Sequence, residues 1–195
     1  MPETISLPAP QKVGNMSFEE ALQSRRSVRT LLDEPLDLQE ISQLLWAAQG
    51  ITDPNGKRTA PSAKALYPLE VYAVLQKGVY HYDPEEHSLS LIREGDLRPE
   101  LYRIAIDQDM VLKAPLIIVF TAVYERIEKR FGSARAPRYV HFEVGHAAQN
   151  VLLQAVALGL GATPAGAFQD DNVRSILDLP RDHEPLYLIP IGRPG

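Results

Sequence analysis

The residues with the most evident chemistry stand near the start of the chain. The stretch SRRSVR, residues 24–29, places Arg25, Arg26 and Arg29 around Ser27. On an extended segment alternate side chains share a face, so residues 25, 27 and 29 point the same way. On a helix, 25 and 29 still meet at i,i+4. Either way Arg25 and Arg29 converge, and an anion relieves the repulsion between them. Two guanidiniums grip a phosphate in forks, and a hydroxyl such as that of Ser27 adds a donor. A solvated helix end, where cations suit the C-terminal dipole, accounts for the same residues.

Three other stretches carry weaker signals. APSAKALYP, residues 60–68, sets small residues at 60, 62, 63 and 65 between Pro61 and Pro68. Small side chains let backbone N–H groups approach a flat ligand and the prolines stiffen the chain, although an ordinary surface loop reads the same. GLGATPAGAF, residues 159–168, superficially resembles a G-x-G fingerprint. It follows a helical pattern rather than a strand and misplaces the third glycine, which excludes that dinucleotide fold. It leaves a Gly/Ala/Pro loop with backbone amides to offer, and Gly159 or Gly161 as a helix C-cap. In HFEVGH, residues 141–146, His141 and His146 lie about 140° apart on a helix and do not converge. Glu143 and His146 are neighbours, as in half of a di-iron site, but no second such motif is placed to complete it. We expect a hydrogen-bonded interior or interface pair there, and no metal. G-x-S-x-G, H-E-x-x-H and P-loop motifs are missing from the sequence.

Regular elements must hold these residues. Residues 1–16 contain three prolines and little pattern, and read as an extended arm. Ser17 with Glu20, and Asp37 with Glu40, form capping-box patterns that start two helices. The first is short and ends near residues 24–27. The second carries an apolar stripe at Leu38, Ile41, Leu44, Leu45 and Ala48 and stops at Gly50. A long polar loop, 51–68, follows. Strands are expected at LEVYAVL, VYHYD and SLSLI, a helix near 98–106, a buried strand at PLIIVFTAV and a helix over 123–131. Residues 137–161 form a long helix with Pro137 in its first turn, apolar nearly all round in its second half. A short capped helix, DNVRSILDL, and a last strand, PLYLIPIG, complete an α+β pattern without regular β-α-β alternation.

The chain has 195 residues, enough for one domain or one domain with an arm. Its 20 Lys+Arg against 25 Asp+Glu give −5, which argues against a general nucleic-acid binder. No run of 18 uncharged apolar residues spans a membrane, and the N-terminus lacks the basic start and apolar region of a secretory signal. Cysteine is absent, which removes disulfides, thiolate catalysis and Cys-based metal sites. A cytoplasmic protein is expected.

Taken in order, RRSVR, APSAKALYPLEVY, EVGHAAQNVLLQAVALGLGATPAGAF and the closing PIGRP resemble the FMN-dependent nitroreductase family, from about Ser17 to the C-terminus. PSAKALYPLEVY and EVGHAAQN are most similar to its SagB-type dehydrogenase branch, which includes azoline oxidases. The resemblance implies an arm, 1–16, before a single FMN-binding domain, 17–195. It implies a nitroreductase-like fold, a mostly antiparallel central sheet flanked by helices, in an interlocked homodimer with FMN at the interface. Residues 138–160 match the main dimer helix.

By the same resemblance, Arg25, Ser27 and Arg29 contact FMN, with Arg26 contributing mostly backbone. Pro61, Ser62, Ala63, Lys64 and Leu66 match the loop beside the flavin ring. Gly166 and Ala167 match the loop whose backbone approaches flavin N5, and Arg193 is a further phosphate partner. The implied activity is NADH- or NADPH-driven reduction of small electrophiles such as quinones or nitroaromatics, hydride passing through N5 in ping-pong order. No catalytic side chain is implied. Azoline dehydrogenation of modified peptides and flavin storage without turnover are the alternatives. The chain departs from the family pattern at Ala65 and Tyr67, where many nitroreductases carry Asn and Gln. Lys64 stands where the branch often has glycine. Arg130 and Phe131 occupy the places of a Lys-Tyr pair in azoline oxidases, and phenylalanine cannot move a proton.

Overall fold

A computed structural model describes residues 3–105 and 108–195. Residues 1 and 2 of the expected arm, and Ile106 at the end of the helix expected near 98–106, lie outside the described residues. Among the described residues eight strands form one sheet: β1 (Thr4–Ser6), β2 (Leu31–Leu32), β3 (Leu69–Leu75), β4 (Gly78–Asp83), β5 (Ser88–Glu94), β6 (Leu116–Ala122), β7 (Gly161–Ala162) and β8 (Glu184–Pro194). Their order is β1-β5-β4-β3-β6-β8-β2, with β7 also paired to β8. The strands pair antiparallel throughout.

Strand β6 shows why an unbroken apolar run belongs at the centre of such a sheet. Alternate side chains leave opposite faces, and here both faces are covered. Leu116, Ile118, Phe120 and Ala122 enter one core, which includes side chains of α2 (Leu38–Gln49), α5 (Glu125–Phe131) and α6 (Ala136–Ala157). Ile117 and Val119 enter the other, with α3 (Arg98–Ile104), α4 (Asp109–Lys113) and α7 (Asp170–Ile176). The α+β class and the flanked antiparallel sheet follow from these two layers.

Both expected capping boxes form. Ser17 and Glu20 exchange hydrogen bonds of 2.8 and 3.1 Å at the start of α1 (Phe18–Ser24), and Asp37 and Glu40 exchange 2.7 and 2.9 Å bonds before α2. Each cap contributes about 1 kcal/mol. Gly50 ends α2 for a different reason from the one expected. Its φ of −63° is open to any residue; a Cβ there would come 2.1 Å from Trp46 Cδ1. The left-handed cap expected at Gly159 or Gly161 falls at Gly159, with φ +71°. The N–H groups of Gly159 and Leu160 return to the carbonyls of Val156 and Ala155, closing α6 in a Schellman motif.

One expectation needs correction and two gain detail. The segment read as an extended arm contributes β1, paired with β5, and buries Leu7. Three residues are too few to show a period. Helix α7 has no side-chain cap: Gln169 stands at its N-cap and makes no capping bond. The second half of α6 is only partly covered by its own chain: Val151, Leu152 and Ala155 are buried, while Leu153 and Val156 are half-exposed. No described helix is long and apolar enough to cross a membrane.

Candidate functional site

The arginine strip, residues 25–29, leaves α1 and runs beside β7. Its backbone is fastened by a parallel bridge between Ser27 and Ala162, in which the Val28 N–H donates to the Ala162 carbonyl at 3.2 Å. The Thr163 hydroxyl donates to the Val28 carbonyl at 2.6 Å. Val28 turns inward against Gly161, so the neighbouring side chains turn outward. Among the described residues, the Arg25 and Arg29 side chains have no hydrogen bond or ion pair, and Ser27 is exposed beside them. Arg26 behaves differently. Its guanidinium folds back onto the carbonyls of Gln23 and Arg25, at 2.9 and 2.7 Å, and so caps the end of α1.

The strip leads to the second predicted group. Ala165, three residues after Ala162, exchanges 2.8 and 3.0 Å backbone bonds with Leu188 on β8. Gly166 and Ala167 then emerge exposed. A side chain at Gly166 would meet nothing closer than Tyr187 at 3.7 Å, so the backbone amides here are open to a flat ligand.

Arg193 is held elsewhere. It lies opposite Leu32 on the last strand, and its guanidinium is paired at 2.7 Å with Glu40, the carboxylate of the α2 capping box. A phosphate there would have to displace an ion pair, so Arg193 lacks the free charge that Arg25 and Arg29 offer.

The third predicted group, in residues 57–68, is built in the opposite manner. Lys64, Ala65 and Tyr67 have φ of +57°, +55° and +44°. The left-handed region costs a non-glycine residue roughly 1–2 kcal/mol. Side chains hold it in place. Ser62 Oγ accepts from the Tyr67 N–H at 2.9 Å, Arg126 donates to the Tyr67 carbonyl at 2.9 Å, and Asn150 donates to the Thr59 carbonyl at 3.3 Å. The Arg58 guanidinium lies 4.4 Å from the Tyr67 ring centroid and donates to Gln49. Arg126 also pairs with Glu70, and this pairing, with a bond from His81, holds the Glu70 carboxyl down at about 2 despite burial. Lys57, Arg58, Pro61, Ser62, Lys64 and Tyr67 line a cavity of about 510 Å³ over this loop. Pro61 and Lys64 are exposed, Ser62, Ala63 and Leu66 half-buried. Arg25, Arg29, Gly166 and Ala167 do not line this cavity.

The HFEVGH motif does not form the expected pair. His146 is exposed, and His141 is exposed and bonds the Tyr124 hydroxyl at 3.3 Å. Glu143 is 2% exposed, and neither carboxyl oxygen has a hydrogen-bond partner. Burial pushes it up to about 7, opposed by Ser62 and Arg58 alongside. The sequence held one signal for this. Glu143 stands three residues after Val140 and four before Ala147, on the apolar face of α6. No group of three or more metal-ligating side chains occurs among the described residues.

A nitroreductase family model matches residues 22–193. The chain belongs to the nitroreductase family. A Methanocaldococcus jannaschii protein named as a nitroreductase is 42% identical over 199 aligned residues, 99% of this chain and 98% of its own. A solved Ralstonia eutropha JMP134 structure, also named as a nitroreductase, has a TM-score of 0.89 at 32% identity and covers 98% of this chain and 90% of its own. The microcin B17-processing protein McbC of Escherichia coli is 28% identical over 157 residues, 74% of this chain. The chain spans 57% of McbC's length, little more than half.

Proposed function

We propose that the chain is an FMN-dependent oxidoreductase, with residues 17–195 as its flavin-binding domain and residues 1–16 as an arm. The observation that carries this is the pair Arg25 and Arg29: two cations without partners, flanking an exposed hydroxyl, on a backbone fixed by β7. Charge-assisted hydrogen bonds from such a pair suit the FMN phosphate. Gly166 and Ala167 offer backbone N–H groups to the ring, and the small residues Pro61, Ser62 and Ala63, with Leu66, form a wall for it. Lys64 adds a cation beside them. Bound FMN supplies hydride chemistry, from NADH or NADPH to a quinone or nitroaromatic. The protein positions both partners and excludes water.

The loop of residues 57–68 and the arginine strip sit on separate supports, which fits a site completed across a homodimer. The half-exposed Leu153 and Val156 on α6, with exposed Phe142 on the same helix, are the surface for that contact. Leu153→Asp should yield a monomer that has lost flavin, read by sedimentation. A flavin-loaded wild-type monomer would end the dimer proposal.

The test of function is direct. Purified protein should release FMN on denaturation and oxidise NADH or NADPH in the presence of a quinone, with ping-pong kinetics. Bound flavin without turnover would indicate storage. A second reading, azoline dehydrogenation, draws on the likeness to McbC. Against it, Phe131 carries no hydroxyl, and its ring packs on Tyr139 at 4.4 Å between centroids. Azole formation from an azoline peptide and oxygen, without NAD(P)H turnover, would establish it.

A further inference from the structure

Glu143 has no part in the reading above, and its setting asks for one. It lies on α6 beneath the loop of residues 57–68. It is 2% exposed, with both carboxyl oxygens free of hydrogen bonds. Burying a carboxyl without a partner is costly, and a purely structural acid would be expected to have one. The groups alongside are Ser62, whose hydroxyl comes near enough to draw the carboxyl's pKa down without reaching hydrogen-bond geometry, and Arg58, whose charge does the same. Arg58 is spoken for by Gln49 and the Tyr67 ring. Arg126 on α5 and Glu70 on β3 act on Arg58 rather than on the acid. His141 and His146, on its own helix, are exposed. Nothing here makes an ion pair with Glu143, and burial favours its neutral, proton-carrying form.

Ser62 stands between the acid and the cavity. A hydroxyl has one proton to give and two lone pairs to accept with. One lone pair takes the Tyr67 N–H. The other is available to the proton of Glu143, and the hydroxyl proton is available to a molecule in the cavity that Ser62 lines.

We propose that Glu143 is the proton reservoir of the site, delivering through Ser62 to the acceptor. This rests on the loop being the wall against which the acceptor docks. The balance is simple. Reduction of a quinone consumes one hydride, originally from NAD(P)H, and one proton. As the hydride reaches the acceptor, its oxygen takes the Ser62 hydroxyl proton, Ser62 takes the proton of Glu143, and the carboxylate left behind is reprotonated from solvent. Glu143 is thus a positioning residue for the proton and never touches the acceptor.

The test compares wild type with Glu143→Gln and Glu143→Asp in the flavin-loaded protein. Three quantities are read: FMN content, kcat and KM for a quinone from about pH 5 to 9, and the side-chain carboxyl carbons of glutamate-labelled protein by NMR. Wild-type kcat should fall as pH rises through about 7, and one glutamate carboxyl should titrate there. Glu143→Gln should keep its FMN and KM, lose kcat by about a hundredfold, lose the pH dependence and lose that resonance. Glu143→Asp should keep a pH limb at an intermediate rate. A Gln variant with wild-type kcat and the same limb, or no glutamate titrating above about pH 6, would overturn the inference. If the Gln variant does not fold, an Asp variant with unchanged rate and limb overturns it equally. Wild type purified without FMN would instead sink the flavin assignment, and the NMR titration would still decide the state of Glu143.

Discussion

The arginine strip and the loop of residues 57–68 are both proposed to meet the flavin, yet they are held in opposite ways. In the strip the backbone carries the fastening, through Ala162 and the Thr163 hydroxyl, and the side chains of Arg25 and Arg29 are left over. In the loop the side chains carry it, through Ser62, Arg126 and Asn150, and three non-glycine residues accept left-handed backbone. The strip therefore spends neither Arg25 nor Arg29 on structure. The loop ties its functional groups to its own shape, and it stands over an unpaired acid. Substitutions should accordingly separate binding from folding in the strip and entangle them in the loop.

The largest effect should come from the acid under the loop. Glu143 has its carboxyl raised from 4.5 to about 7 in the folded state. Between those values the folded protein binds a proton that the unfolded chain has released, so stability falls as pH rises across this window and levels off above it. Glu143→Gln removes the penalty. At pH 8 the variant should be more stable than wild type by roughly 2–4 kcal/mol, and near pH 4 the two should converge. Urea denaturation at both pH values checks this. Equal stability at pH 8 would mean that the carboxyl has found a partner.

The fastening of the strip is the next to break. A Cβ at Gly161 would lie 2.7 Å from Val28 Cγ1 and 2.8 Å from Val28 Cβ. Valine is stiff at that bond, so Gly161→Ala must push the strip off β7. A loss of about 1–3 kcal/mol in stability is expected, with flavin affinity falling as well, because the arginines shift together. Thermal unfolding and flavin titration read the two effects. A stable variant with normal affinity would show that the strip does not depend on this contact.

The smallest effect separates strain from function in the loop. Lys64→Gly relieves a φ of +57° and should stabilise the fold by about 0.5–1 kcal/mol, the relief exceeding the added entropy of the unfolded chain. Destabilisation would mean that the lysine side chain itself supports the loop.

Long periodic elements were legible in the sequence because both of their determinants are local. The capping residues Ser17 and Asp37 sit beside the helices they start, and the doubly apolar run of β6 announces burial on two faces. Elements of two to five residues, β1, β2, β7 and α4, show no period and are made by their partners. Residue type and alternation alone single out Arg25 and Arg29, whose side chains are left without partners among the described residues. The pairing of Arg193 with Glu40 was not, since it joins residues far apart in the chain. Glu143 could have been found from its place on the apolar face of α6. That it forms no ion pair among the described residues is a property of the packed interior.

The most direct test of the central claim is FMN binding to wild type, Arg25→Ala and Arg26→Ala, titrated by flavin fluorescence at one ionic strength. Among the described residues the Arg25 side chain has no partner, whereas Arg26 is folded onto the end of α1. Wild type should bind about one FMN per chain. Arg25→Ala should weaken binding by about 1.5–3 kcal/mol, the scale of a hydrogen bond to a charged group, and Arg26→Ala by clearly less. Retention of FAD instead of FMN, or a greater loss from Arg26→Ala than from Arg25→Ala, would contradict the account.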